Sequence, residues 1–361
     1  MRKFKRLFRR LEDPRADNTR HDLLEILFIA LAATLAGATA CTDFEQFALA
    51  REDALRRFLD LEHGVPSHDT FSTVLRALDP RALEAVLRKF AKGFGGTEVV
   101  NLDGKALRGA FARGKRSVPH HMVNLWAAGT RLALAQRKAP NRNEVAGALE
   151  LLAVLDLDGA IVTADALHCR SDMAQAIRKR KGHYVLALKK NRGNLFKAAE
   201  ALVDTTPKAS RATQRPARAH GRTERRQALV VPAKELAQQH GFPDAVAIGR
   251  IESWRGTGDA AAKKSKVRLF LLSRSLSAKQ LLETVRAHWS IENNLHWVLD
   301  VLFAEDACRS RKDHAPENLA ALRKLAINIL QTTPGPQRMR HKMLHARWSE
   351  AFLLNALLHM R

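Results

Sequence analysis

Apolar positions recur at helical spacing from Asp22 to about Phe94, and the pattern predicts an N-terminal helical region. A long apolar helix follows His21-Asp22, another begins at residues 42–48, and residues 51–59 are amphipathic. Gly64 to Ser67 breaks the chain, and residues 68–76 resume as a helix with a polar face. That turn-plus-helix is either half of a helix-turn-helix reader or an ordinary bundle turn. Past Gly95-Gly96 the pattern changes to short β runs at 98–103, 121–127 and 131–137. A helix is expected at 143–155, a buried strand at 159–165, a helix at 171–181 and a strand at 183–188. Residues 198–267 interrupt this alternation and read as an insertion containing β structure. The run at 266–273 returns to the sheet, and Ser277 to Gln280 caps a long helix through residue 292. A last amphipathic segment spans about 316–330, and Pro334-Gly335-Pro336 separates it from a basic helical tail.

Three strands followed by helix, strand, helix, strand is a mixed α/β arrangement, and its order matches a ribonuclease-H-like core. The division expected is an N-terminal helical, DNA-binding domain at 1–95 and a first part of the core at 96–197. The insertion at 198–267, the remainder of the core at 268–330 and a tail at 331–361 follow.

Charge narrows the class of partner. Lys and Arg number 61 against 37 Asp and Glu, a formal charge of +24 over 361 residues. That excess exceeds what solubility requires and favours a polyanion, above all nucleic acid. Residues 1–11 carry six Lys or Arg and read as a flexible basic arm or a solvated tail. The uncharged run ILFIALAATLAGATACT (26–42) is diluted by Ala, Thr and Gly and preceded by acids, so a buried core helix is expected rather than a membrane span or leader. Three widely spaced cysteines, Cys41, Cys169 and Cys308, argue against a disulfide framework and a structural zinc site, and fit a reducing cytoplasm.

Against this basic background, acids in ordered places carry the candidate chemistry. Asp103 and Asp165 each close a predicted strand, where open α/β sheets bind ligands. Glu292 lies on the long helix, four residues from both His288 and His296. Three carboxylates from three elements can hold two Mg²⁺ ions, with Mn²⁺ as a substitute, and such ions serve phosphodiester chemistry. Singly, either Asp is more simply the cap of the next helix, and Glu292 a solvated helix residue. Asp156 and Asp158 compete for the second position from a loop. HExxH spacing is absent, so His288 and His296 are expected as phosphate or carboxylate partners near the metal. Trp289, Asn293 and Trp297 form a neighbouring stripe expected to pack on the sheet. Basic residues near these acids, Lys105, Arg108, Lys189, Lys190, Arg192, Arg222 and Arg309, are candidate DNA contacts.

Four ordered segments, LDGKALRG (102–109), VTADALHC (162–169), HGRTERR (220–226) and HWSIENNLHWVLDV (288–301), resemble the signatures of the ISAs-type, or H-repeat-associated, insertion-sequence transposases. DPR (13–15) and GVPSHDTF (64–71) resemble that family's associated helical domain, so the resemblance covers nearly the whole chain. It implies a DDE transposase with Asp103, Asp165 and Glu292 as the acidic triad. It also implies an insertion before the Glu, and double-stranded DNA substrates: the terminal inverted repeats and a target. A homodimer on DNA and a cytoplasmic, nucleoid-associated location follow by analogy. Related families carry Tyr, Arg and Lys around the Glu, where this chain has Val285, His288 and Leu299, and Arg occupies positions 170 and 192 where Gln is usual. The rival readings are a ribonuclease-H-like nuclease or silenced element protein without strand transfer, and a non-catalytic DNA-binding protein.

Overall fold

The computed structural model describes residues 2–16, 19–111, 119–206, 209–219, 222–257 and 265–358. Along the chain come helices α1 (Arg2–Phe8), α2 (Leu23–Leu35), α3 (Cys41–Leu49), α4 (Glu52–Leu55), α5 (His68–Ala77) and α6 (Pro80–Lys92). Strands β1 (Val99–Leu107), β2 (His120–Ala127) and β3 (Leu132–Lys138) follow, then α7 (Glu144–Val154), β4 (Ile161–Ala164), α8 (Ser171–Lys179) and β5 (His183–Leu188). Next are α9 (Gly193–Thr205), β6 (Ser210–Ala219), β7 (Arg222–Pro232), α10 (Lys234–Gln239), β8 (Ala247–Thr257) and β9 (Ser265–Leu272). The chain continues with α11 (Ala278–His288), α12 (Trp297–Val301), α13 (Ala315–Thr332), α14 (Met339–Trp348) and α15 (Glu350–Leu358).

These elements form two compact units that interleave in sequence. The first comprises residues 1–95, 104–144 and 292–361, and the second residues 96–103 and 145–291, so the division falls inside β1.

In the first unit, α13 is the central helix, packed on α2, α5, α6 and β3. It is buried almost all round, and its polar residues have specific partners. Asn328 pairs with the backbone of Ala133 in both directions, at 2.8 Å each, and Asn318 donates to the carbonyls of Leu75 and Leu78. Each polar group left unpaired there would cost about 1–3 kcal/mol. Asp22 caps α2 by accepting from the Glu25 N–H at 3.0 Å, and α2 is a core helix, as its composition indicates. Among the described residues no helix is long and apolar enough to cross a membrane. The expected basic arm is corrected: residues 2–8 are helical, with Phe4, Leu7 and Phe8 buried and Phe4 stacked on Phe8 and edge-on to Phe28. Apolar residues among the Lys and Arg give that segment a face to bury. The DPR segment is a clamp in which Arg15 grips Asp13 with two nitrogens and donates to the His21 carbonyl.

Strand order in this unit is β3-β2-β1, with β2 and β3 antiparallel. In the second unit the order runs β1-β4-β5-β9-β8-β7-β6. There β1, β4 and β5 are parallel, and each later neighbour is antiparallel. This mixed sheet is the ribonuclease-H-like arrangement expected from the element order. α11 lies across the antiparallel part, burying Leu281, Leu282 and Val285 against Ala228, Val230, Ile251, Phe270 and Leu272. The Ser277 capping box forms: Ser277 Oγ accepts from the Gln280 N–H, and Gln280 Oε1 accepts from the Ser277 N–H. Helix α9 and strand β6 were not legible as such, because the basic residues mixed through 197–219 hide both periodicities.

Candidate active site

The second unit brings two of the acids side by side. Parallel pairing of β1 with β4 matches Asn101 to Thr163 and Leu102 to Ala164, so Asp103 and Asp165 are the next residues on adjacent strands. Neighbouring strands lie about 4.8 Å apart, so both carboxylates project from one rim. Asp103 does not end its strand, since β1 continues to Leu107. What ends there is the pairing with β4. Asp165 does follow the last residue of its strand, and its Oδ1 accepts from the Leu167 N–H at 3.0 Å. The capping reading therefore holds for one oxygen of Asp165; a carboxylate keeps further lone pairs for an ion.

Below the rim a hydrogen-bonded chain fixes α11 to the strands. Asn101 Nδ2 donates to the Ala287 carbonyl at 2.6 Å, and the Thr163 hydroxyl donates to Asn101 Oδ1 at 2.8 Å. Thr163 Oγ1 also lies 2.9 Å from His288 Nδ1. Its single proton is spent on Asn101, so His288 Nδ1 is the donor and the lone pair is on Nε2. Burial pushes the His288 pKa down to about 4, with the Asp165 charge opposing and His168 reinforcing the shift. This imidazole is neutral at pH 7, so any contact it makes to a phosphate or carboxylate is that of an uncharged ring. Asn101 and Thr163 were missed in the sequence, yet a signal was present. Each is a polar residue inside an apolar strand, two positions before its Asp.

The basic loop after β5 reaches the same rim. Asn191 Nδ2 donates to the Ala166 carbonyl at 2.8 Å and Arg192 Nε to the Cys169 carbonyl at 2.9 Å, both in the turn that follows Asp165. Lys189 and Lys190 are exposed. Arg222 begins β7, but its side chain, like His220 and Gly221 of the HGRTERR segment, lies outside the described residues.

In the first unit, Glu292 opens a π-helical turn, Glu292–His296, that leads into α12. Such turns are rare and concentrate at functional sites. Glu292 is exposed, with Oε2 3.5 Å from His296 Nδ1. His296 is buried, and its pKa falls to about 4 through burial and the nearby cations of Lys324 and Lys105, against the pull of Glu305. It too is neutral at pH 7. Trp297 is 53% exposed, and in the second unit Trp289 is 44% exposed under the guanidinium of Arg268, 5.1 Å from the ring centroid. The tryptophan stripe therefore does not pack into the sheet.

Lys105, another of the candidate DNA contacts, lies in the first unit. It is buried, and its ammonium meets Asp300 at 2.7 Å and Glu305 and Asp306 at 3.2 Å each, so it is not open to a phosphate. Arg108 and Arg309 are exposed, with Arg108 3.5 Å from Asp306. Arg311 donates to the Gly109 carbonyl at 3.0 Å and lies over Phe111. Gly109 is required there, because a Cβ would run into the Cys308 carbonyl.

Residues 94–329 match the family described as "Transposase DDE domain", and residues 5–91 match its associated N-terminal domain, DDE_Tnp_1-associated. The chain belongs to the DDE transposase family. A similar member is "Putative transposase YncI" of Escherichia coli O157:H7, 32% identical over 350 residues, spanning 90% of this chain and 87% of that one. Another is "H repeat-associated putative transposase YhhI" of Escherichia coli K12, 30% identical, spanning 93% and 92% respectively. "Inactive transposase YbfQ" of the same strain aligns over 55 residues only, 15% of this transposase-family chain. As a family member the chain has DNA as its implied substrate.

Proposed function

We propose that this chain is a Mg²⁺-dependent transposase that cleaves DNA at the terminal inverted repeats of its element and joins the freed 3′ ends to target DNA. The observation that carries the reading is the in-register placement of Asp103 and Asp165 on adjacent parallel strands, within the segment that matches the DDE family. Two carboxylates at a rigid rim are a hard oxygen donor set suited to Mg²⁺, and Mn²⁺ is expected to substitute. Glu292 is the third ligand of the proposal. It is included because the segment 288–301 resembles the motif that carries the family's Glu.

Bound there, divalent ions would lower the pKa of the attacking hydroxyl group and stabilise charge on the leaving oxygen. The reaction proceeds in two balanced steps. Water attacks the phosphodiester, a new P–O bond forms as the P–O3′ bond breaks, and the products are a 3′-hydroxyl and a 5′-phosphate. That 3′-hydroxyl then attacks a target phosphodiester, joining the strands and releasing a target 3′-hydroxyl. The protein's part is to hold and orient: the acids offer oxygen ligands, the Asn101–Thr163–His288 chain keeps the rim rigid, and Lys189 and Lys190 meet the DNA backbone. Two element ends must be brought together, so a homodimer on DNA is part of the proposal, as is work at the nucleoid.

The test is Asp165→Asn in the full-length protein. Cleavage of an inverted-repeat duplex with Mg²⁺ should fall by at least about a thousandfold, with duplex affinity within about twofold. Normal cleavage by this variant would remove the assignment. A joining assay with pre-cut ends separates a transposase from a nuclease that only cuts.

A further inference from the structure

The first unit contains a buried ion cluster around Lys105. Lys105 is 8% exposed, and its three ammonium protons face three carboxylates: Asp300, Glu305 and Asp306. Burial alone would lower the Lys105 pKa, but Glu305, Asp300 and Asp306 together hold it above the ordinary lysine value. Glu305 is 2% exposed and is held ionised, against burial, by Lys324, Lys105 and Arg323. Lys324, fully enclosed, donates to Gln136 Oε1 on β3 at 2.9 Å. A buried cluster of this kind is usually no more stable than an apolar core of the same volume. What it does supply is direction. A guest group is held in one place by several charge-assisted bonds, where methyl groups would slide.

The cluster's position gives that direction a use. Lys105 follows Asp103 by two residues along β1, so a clamp on Lys105 acts on the strand that carries one of the proposed ligands. Asp300 follows Glu292 by eight residues, and the path between them is helical, first π and then α12. Pinning Asp300 therefore fixes the axis and the rotation of the helical segment on which Glu292 sits. Glu305 and Asp306, in the turn just after α12, prevent that segment from pivoting about a single contact.

We infer that Lys105 is a positioning residue, whose ammonium clamps the acidic segment 300–306 to strand β1 and thereby sets the helix that presents Glu292 as a metal ligand. The inference rests on the metal-site reading proposed above. It assigns the Lys of the Asp-Gly-Lys segment to geometry within the protein, not to a DNA phosphate.

The experiment measures Mn²⁺ binding to the full-length protein, read from the free-ion electron paramagnetic resonance signal, so it does not depend on turnover. Duplex DNA affinity across a salt series without divalent ions is measured in parallel. The clamp is removed in the charge-balanced pair Lys105→Met with Asp300→Asn, with Lys105→Arg as the conservative variant and Asp165→Asn as the control ligand variant. The pair should weaken Mn²⁺ binding about tenfold, the size of effect seen when a ligand's supporting partner is lost. DNA affinity and its salt slope should be unchanged, and Lys105→Arg should recover most of the Mn²⁺ affinity. If thermal unfolding shows that the pair does not fold, Asp300→Asn alone is read in its place, with a smaller loss expected. Unchanged Mn²⁺ binding in the clamp variants, alongside a clear loss in Asp165→Asn, would overturn this inference alone. A fall in DNA affinity with a salt slope reduced by about one would overturn it in favour of a phosphate contact. No loss in Asp165→Asn would instead remove the metal site itself.

Discussion

His288 shows how placement changes what a side chain can do. In sequence it is one of two histidines flanking an acid; in the fold it is half-buried and its Nδ1 donates to Thr163. Its folded pKa of about 4 lies below the ordinary histidine value of 6.5, and His296 is displaced to the same level. Between pH 6.5 and 4 the unfolded chain takes up protons that these folded imidazoles refuse. Stability attributable to each is complete above pH 6.5 and is lost as pH falls towards 4. The contribution is at most about 3 kcal/mol per ring. Urea unfolding at pH 7.5, 6 and 5 should show the loss, and His288→Gln should flatten the dependence. An identical pH profile in that variant would mean that the ring already titrates normally. At the same residue scale, Lys105 reads in sequence as a phosphate contact, and in the fold three carboxylates surround its ammonium.

Among the elements, the connection between the β5–α9 loop and the turn after β4 matters most for the proposed site. Asn191 and Arg192 tie a basic loop to the backbone that positions Asp165. Removing the Asn191 amide leaves the Ala166 carbonyl without that donor and costs about 1 kcal/mol locally. Asn191→Ala should therefore lower the cleavage rate several-fold at subsaturating Mg²⁺ while leaving global unfolding nearly unchanged. Equal loss at all Mg²⁺ concentrations would point instead to a contact with DNA. The expectation that residues 189–192 lie near the acids was legible, because a loop after a parallel strand emerges at the same sheet end as its neighbours' loops. The hydrogen bonds that couple loop to turn were not, since they join an amide and a guanidinium to backbone carbonyls 25 and 23 residues away.

For the molecule as a whole the dominant quantity is charge. An excess of +24 makes duplex binding a counterion-release process, and affinity should fall steeply between 50 and 200 mM salt. Lys189→Ala and Lys190→Ala should each reduce the logarithmic salt slope by about one if they meet phosphates. An unchanged slope in both would move the backbone contacts to other parts of the basic surface. Lys105, by contrast, is not expected to contribute to that slope, because its charge is already balanced inside the protein.

By itself the sequence determined the class of fold and of partner. Periodicity and charge depend on neighbours along the chain, so the helical N-terminal region, the order of strands and helices up to β5, the capping box at Ser277 and an expected polyanion partner could all be read directly. The family resemblance was legible as well, carried by four short segments in fixed order, and the match over residues 94–329 accords with it. Tertiary structure alone decided which charges face solvent and which face each other. It buried His296 and Lys105, left His288 half-buried against Thr163, and folded a basic N-terminal segment onto the core through Phe4, Leu7 and Phe8. It also set Asp103 beside Asp165 through the register of two strands 62 residues apart. Burial and register arise from contacts between distant segments, and no local pattern encodes which partner a charged side chain will find when the chain closes around it.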